Sequence, residues 1–252
     1  MPAFMMFLYG LASYASFLLT FLCLIAFVGN FPVPKTIDGG APVGLVEAGV
    51  VNVLLLAVFA VQHSVMARPA FKRWWTRFVP QAIERSTYVV AASAALALVV
   101  WQWRPMAEPV LWHIENPLAV AVLLLLFGLG WGVVLISSFL INHFELFGLS
   151  QVYFNLVGRA PKAQEFRTPL LYRHVRHPLY LGVIIGSWAT PKMSLGHGLF
   201  ALGMTVYILI GVVFEERDLV KQFGERYLRY REQVGMLLPW PRKGRAAGRS
   251  PR

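Results

Sequence analysis

The sequence predicts an all-α fold: a polytopic transmembrane helix bundle of about five spans, the last a broken helical hairpin, with a C-terminal amphipathic helix. Three observations predict it. Of the 252 residues, 57% are hydrophobic and only 14% charged, against about 25% charged in a soluble domain. Several apolar runs reach the roughly 18–20 residues that cross a hydrocarbon core, and they do not alternate as barrel strands would. The cations are segregated: 20 of the 23 Lys and Arg residues lie in segments 67–85, 142–177 and 215–252. That is the positive-inside pattern, and it puts both termini in the cytoplasm. The net charge of +11 is therefore read as orientation and contact with anionic membrane lipid, not as a nucleic-acid footprint.

The first span is placed at 4–28. Its start, MPAFMMFLYG, has no basic n-region and runs too long for a signal-peptide core. Cys23 lies within it. A lone cysteine makes neither an internal disulfide nor a thiolate cage, and it is read as a small core hydrophobe. The Pro/Gly-rich NFPVPKTIDGGAP is an external turn. The second span, 45–66, ends in Gln62, His63 and Ser64. FKRWWTRFVP (71–80) interleaves cations with tryptophan, as an interfacial segment does. The third span is placed at 86–103, closed by Arg104-Pro105. The fourth, 117–141, carries Gly128 and Gly132 at GxxxG spacing, repeated by Gly182 and Gly186; small residues four apart let helices approach closely. GLGWG (128–132) is no dinucleotide loop, because no strand precedes it.

Residues 178–190 make only about 20 Å of helix at 1.5 Å per residue, short of a full crossing. Such a helix needs protein packing around it. Thr190-Pro191 breaks it, and 195–214 returns as the second arm of the hairpin. In EERDLVKQFGERYLRYREQV (215–234), Leu219, Phe223, Tyr227, Tyr230 and Val234 recur at helical spacing, which predicts an amphipathic helix headed by Glu215 and Glu216. Residues 1–240 read as one membrane domain and 241–252 as a basic, disordered tail.

Polar chemistry collects at one face of this layout. RHVRHPLYLG (173–182) puts Pro178 at a first helical position, where its missing N–H costs nothing. The free N–H groups of that turn, with Arg173 and Arg176, suit an anion. Tyr180 follows one turn in. The hairpin returns Glu215 and Glu216 to the same edge, and adjacent carboxylates there are costly unless paired. INHFELFGLSQ (141–151) adds Asn142, His143, Glu145 and Gln151. QHSVMARPAFKRWW (62–75) and ERSTY (84–88) add His63, Arg85 and Tyr88. His174 and His177 have no third ligand at fixed spacing, so no metal site is expected. No GxSxG elbow or Walker loop is present.

RHPLYLG (176–182) with EERDLVKQFGERYLRY (215–230) resembles the isoprenylcysteine carboxyl methyltransferase superfamily of integral membrane methyltransferases. VPKTIDGG (33–40), FAVQHSVMARPAFKRWW (59–75), ERSTYV (84–89), WQWRP (101–105), INHFELFGLSQV (141–152) and WATPKMSLGHGLFA (188–201) resemble, within it, the bacterial methanethiol S-methyltransferases. The resemblance covers about Tyr9 to Pro239. It implies an enzyme of the inner (cytoplasmic) membrane that methylates methanethiol to dimethyl sulfide. It implies S-adenosylmethionine as cofactor, bound by Tyr172, Arg173, Val175, Arg176, His177, Pro178, Tyr180, Gly182, Glu215 and Glu216. On chemistry, Arg173 or Arg176 suits the cofactor carboxylate, Glu215 or Glu216 its amine or ribose, and Tyr180 or Trp188 its adenine. The thiol proton needs an acceptor. The candidates are His63, His143 and Glu145, near Arg85 or Tyr88, with His63 preferred. The alternatives are another small thiol or a prenylcysteine carboxylate as substrate, or a non-enzymatic NnrU-like membrane protein.

Overall fold

The computed structural model describes residues 1–41, 43–160 and 166–239. The basic tail 241–252 and Lys162 lie outside the described residues. In chain order the elements are α1 (Ala3–Val28), α2 (Leu45–Ala67), α3 (Pro69–Trp75), α4 (Gln81–Gln102), β1 (Val110–His113), α5 (Pro117–Ile141), α6 (His143–Leu146), α7 (Leu149–Leu156), α8 (Pro178–Trp188), β2 (Lys192–Ser194), α9 (Leu195–Phe223) and α10 (Glu225–Gln233). Among the described residues, five helices are long and apolar enough to cross a membrane: α1, α2, α4, α5 and α9. α8 is the short sixth arm. This is a multi-pass membrane protein.

The outward faces are apolar. Leu19, Leu22, Val46, Leu54, Leu118 and Leu125 are all exposed. A soluble protein would not present so continuous an apolar surface, whereas lipid accepts it. Inside, Phe27, Trp103 and Phe200 meet edge to face at 5.8 to 6.2 Å between ring centroids. That is a favoured aromatic geometry. These rings fill the end of the bundle where α1 stops and α9 starts, here called the far end. The other end holds the start of α1, α4 and α8 and the end of α2 and α5, and is called the site end.

Four sequence expectations change. The third span starts at Gln81, not residue 86, because Pro80 sets the start and ERSTY continues the helix as its polar first turns. The hairpin's second arm does not stop at residue 214. No helix breaker intervenes before Gly224, which sits at φ 56°, so the chain stays helical through Phe223. Glu215 and Glu216 are thus interior to one long helix, and the amphipathic segment is split between α9 and α10. Cys23 is exposed on the lipid face of α1. Finally, β1 and β2 form a two-stranded antiparallel ribbon at the far end, which no periodicity announced.

Close helix approach also uses different glycines. A Cβ on Gly130 would lie 2.5 Å from the Gly186 nitrogen, and one on Gly182 would lie 2.6 Å from the Gly130 carbonyl oxygen. Gly128 and Gly132 have nothing within 4 Å of such a Cβ. The GxxxG spacing on α8 therefore makes contact, while its counterpart on α5 is the single Gly130. Gly130→Ala and Gly182→Ala are expected to overpack the α5–α8 seam and destabilise by about 1–3 kcal/mol. Gly128→Ala and Gly132→Ala should leave the melting temperature in detergent unchanged or slightly raised.

Candidate active site

Arg176 and His177 precede α8, which Pro178 starts, so their side chains hang at its mouth rather than in its ladder. Arg176 is buried. Its Nε donates to Glu216 Oε1 at 2.6 Å, and its Nη1 donates to the carbonyls of Val234 at 2.5 Å and Arg231 at 3.2 Å. His177 Nε2 lies 3.2 Å from the same Glu216 oxygen. A carboxylate only accepts, so that nitrogen carries the hydrogen. Arg231 Nε approaches Glu216 Oε2 at 3.4 Å. The backbone closes the knot: Arg176 N–H donates to Gly235 and His177 N–H to Met236. The side chains of Arg176 and Glu216 are only 4% and 10% exposed, so each satisfies the other's charge away from water.

Beside the knot, the Tyr180 hydroxyl donates to Glu215 at 2.7 Å, and the Tyr180 ring stacks on His177 at 5.6 Å. The Tyr230 hydroxyl donates to the Tyr172 carbonyl at 2.5 Å. Burial pushes Tyr230 up to about 12, which keeps it a donor. Val175 pairs its backbone with Gly235. Leu181 N–H bonds back to the His177 carbonyl, which puts the amides of Leu179 and Tyr180 ahead of the helical ladder. Gly182 faces Gly130 and α5, where it seats the helix. Arg173 is exposed.

His63 lies deeper, on α2. Its Nε2 is 2.9 Å from the Tyr88 hydroxyl, while its Nδ1 is buried with no hydrogen-bond partner. Arg85 covers the Tyr88 ring at 4.8 Å and donates from Nε to the Leu146 carbonyl at 2.7 Å. Tyr207 of α9, which sequence reasoning missed, completes this group. Its ring lies 6.2 Å from His63, and it hydrogen-bonds Ser64. The electrostatic neighbours of Tyr180 include Glu215, Tyr207 and Tyr88, so Tyr180 faces both the His63 group and the knot. The signal was present: Tyr207 precedes Glu215 by eight residues, two helical turns on one face.

His143 and Glu145 do not join His63. Ser138 spends its one hydrogen on the Leu135 carbonyl at 2.6 Å, so His143 Nδ1–H donates to Ser138 and Nε2 accepts from Tyr14, both at 2.8 Å. The imidazole is fully used. Glu145 accepts from Asn142. Trp188 sits at the far end, about 12 Å along α8 from Tyr180 at 1.5 Å per residue, and donates to Thr205. Among the described residues no group of three His, Cys, Asp or Glu is placed to hold a metal ion. A cavity of about 550 Å³ opens at the far end between Asp38, Pro105, Met106 and Glu108; none of the clustered side chains lines it.

Fold and site together define a multi-pass helical membrane protein with a buried Arg–His–Glu knot and, at the same end, a cluster of His63 with Tyr88 and Tyr207. Residues 51–235 match the family model described as NnrU protein. Methanethiol S-methyltransferase of Mycobacterium tuberculosis is 54% identical over 245 residues, covering 96% of this chain and 99% of that protein. Methanethiol S-methyltransferase 1 of Bradyrhizobium diazoefficiens is 53% identical over 240 residues, covering 95% and 84%. Nurim of Sus scrofa is 33% identical, covering 76% and 74%. No solved structure matches. The chain belongs to the methanethiol S-methyltransferase family. The NnrU match spans the site end, Glu215 and Glu216 included.

Arg176→Met is expected to destabilise by about 3 kcal/mol, because it takes the closest of three cationic or N–H partners from a buried carboxylate; thermal unfolding in detergent checks it, with Arg176→Met/Glu216→Leu recovering part of the loss. Burial lowers His143 below the ordinary imidazole range. Its contribution is therefore present above about pH 6.5 and lost as pH falls below it. The melting temperature should decline on acidification, and less so in His143→Gln.

Proposed function

We propose that the protein methylates methanethiol to dimethyl sulfide with S-adenosylmethionine, at the site end, and that this end faces the cytoplasm of a bacterium's inner membrane. The observation that carries the reading is the buried, unpartnered Nδ1 of His63, packed on Tyr88 and Tyr207 at the same end of the bundle as the Tyr180–Glu215 pair. A chamber with an orphaned proton acceptor at one side and a carboxylate and aromatic plate at the other fits a thiol and a cationic cofactor. Close relatives with methanethiol in their names support the substrate, and the clustering of basic residues at this end supports the orientation.

The cofactor's sulfonium supplies an electrophilic methyl group. The residues suited to hold it are Tyr180, whose face accommodates a flat base or cation, and Glu215, which keeps one carboxylate oxygen beyond its bond from Tyr180. The amides of Leu179 and Tyr180 and the exposed Arg173 suit a carboxylate. Tyr172, Val175, Arg176, His177, Pro178, Gly182 and Glu216 act one layer back. Arg176 is consumed by Glu216 and two carbonyls, so it fixes the mouth of α8 instead of gripping a ligand.

On the thiol side, His63 presents two states. With the hydrogen on Nε2, that nitrogen donates to the Tyr88 oxygen and Nδ1 offers a free lone pair. A thiol S–H within reach of Nδ1 would transfer its proton there, leaving a thiolate as the nucleophile. Arg85, held over Tyr88, adds positive charge that favours the thiolate. Phe59 and Tyr207 line the approach and exclude water, which favours a reaction that annihilates charge.

Supplying methanethiol and isotopically methyl-labelled S-adenosylmethionine to the purified protein should release labelled dimethyl sulfide into the headspace; absence of product with cofactor bound would reject the reading. His63→Gln should lower turnover by about 10²-fold or more while calorimetry finds cofactor affinity unchanged. Full activity in that variant would remove His63 as proton acceptor. Glu215→Gln should weaken cofactor binding instead.

A further inference from the structure

On α9, Gly211 stands one turn after Tyr207 and one turn before Glu215, so all three share a face. Gly211 is half-buried, and its helical register sets it on the packed side of α9. At 100° per residue Gly211 falls within the arc of buried Phe200, Met204 and Ile208, opposite exposed Val206, Ile210 and Val213. An inward-facing helical residue ordinarily meets close-packed neighbours. A Cβ built on Gly211 nevertheless finds no atom within 4 Å, whereas one on Gly203, two turns earlier, would lie 2.7 Å from Leu56 Cδ1. The bundle is thus filled beside Gly203 and open beside Gly211. Register places this open step on α9 between Tyr207, whose ring meets His63 at 6.2 Å, and Glu215, which accepts from Tyr180. His63 Nδ1, on the Tyr207 side of this step, is buried and without a partner.

We infer that Gly211 determines the size of thiol the site accepts: its missing side chain is the room occupied by the alkyl group of a short alkanethiol. This rests on the proposed methyl transfer and adds a residue to its specificity. Glycine is not at this position for backbone reasons, since it lies mid-helix, where alanine is the better helix former. The class of ligand follows from the walls. A slot one side chain wide, flanked by aromatic and apolar groups with one orphaned imidazole nitrogen, fits a small apolar group bearing a single acidic hydrogen.

The test uses the full-length wild type, Gly211→Ala and Gly211→Leu. kcat/KM is measured for methanethiol, ethanethiol and 1-propanethiol, and S-adenosylmethionine affinity by calorimetry. Gly211→Ala is expected to lower kcat/KM about tenfold or more for the largest thiol the wild type accepts, the scale of one methylene in an apolar pocket, and less for smaller ones. Gly211→Leu is expected to lose methanethiol turnover by about 100-fold or more, with cofactor affinity within about threefold of wild type. Equal losses for every thiol, no loss, or a parallel loss of cofactor affinity overturns the inference while leaving methyl transfer intact. A wild type that binds cofactor and methylates none of the three thiols overturns the function itself. Gly211→Ala favours the helix, so a folding failure of Gly211→Leu does not decide the outcome.

Discussion

The ion cluster of Arg176, His177 and Glu216 is the constraint on which the site end depends. A guanidinium and a carboxylate, 4% and 10% exposed, persist in the interior only when paired and hydrogen-bonded. Meeting that requirement needs residues from separate segments: the loop before α8, the interior of α9, and the carbonyls of Arg231 in the last turn of α10 and Val234 just beyond it. Each bond that satisfies the charge also ties a helix end in place. The mouth of α8, the lower half of α9 and the C-terminal segment are therefore positioned by one electrostatic demand.

What the knot positions is more informative than what it contains. Glu216 is spent on the knot, yet its neighbour Glu215 turns to Tyr180. On the same helix face Gly211 and Tyr207 follow upward toward His63 of α2. One helix thereby presents a charged end, an open step, and an aromatic wall beside His63. In the proposed reaction this ladder separates the group that binds the methyl donor from the group that accepts the thiol proton, and keeps both in one dry compartment. At the far end, packing of Phe27, Trp103 and Phe200 supplies stability without any comparable chemistry.

Much of this was legible in the sequence, and what was not has physical reasons. Apolar run length located every span, because the hydrocarbon core sets it directly. The RHP element and the twin glutamates could be brought together because a hairpin must return its second arm to the first arm's edge. The helix through Phe223 was hidden, since charge along 215–223 looks like the end of a span although nothing there breaks a helix. Tyr207 was hidden because an aromatic in an apolar run reads as lipid-facing or core; only its register with Glu215 marks it. The separation of His143 from His63 could not be read at all. It depends on Ser138 donating to Leu135, a bond whose partners are visible only in three dimensions. Gly130 was passed over because the GxxxG spacing drew attention to Gly128 and Gly132, which face outward.

A structure of the protein with S-adenosylhomocysteine bound tests the central claim most directly. The ligand should lie against Tyr180 and Glu215, with the Arg176–Glu216 pair unbroken and its sulfur directed toward the space beside Gly211 and His63. A ligand that displaces Glu216 from Arg176, or that occupies the far-end cavity by Asp38 and Glu108, would contradict it.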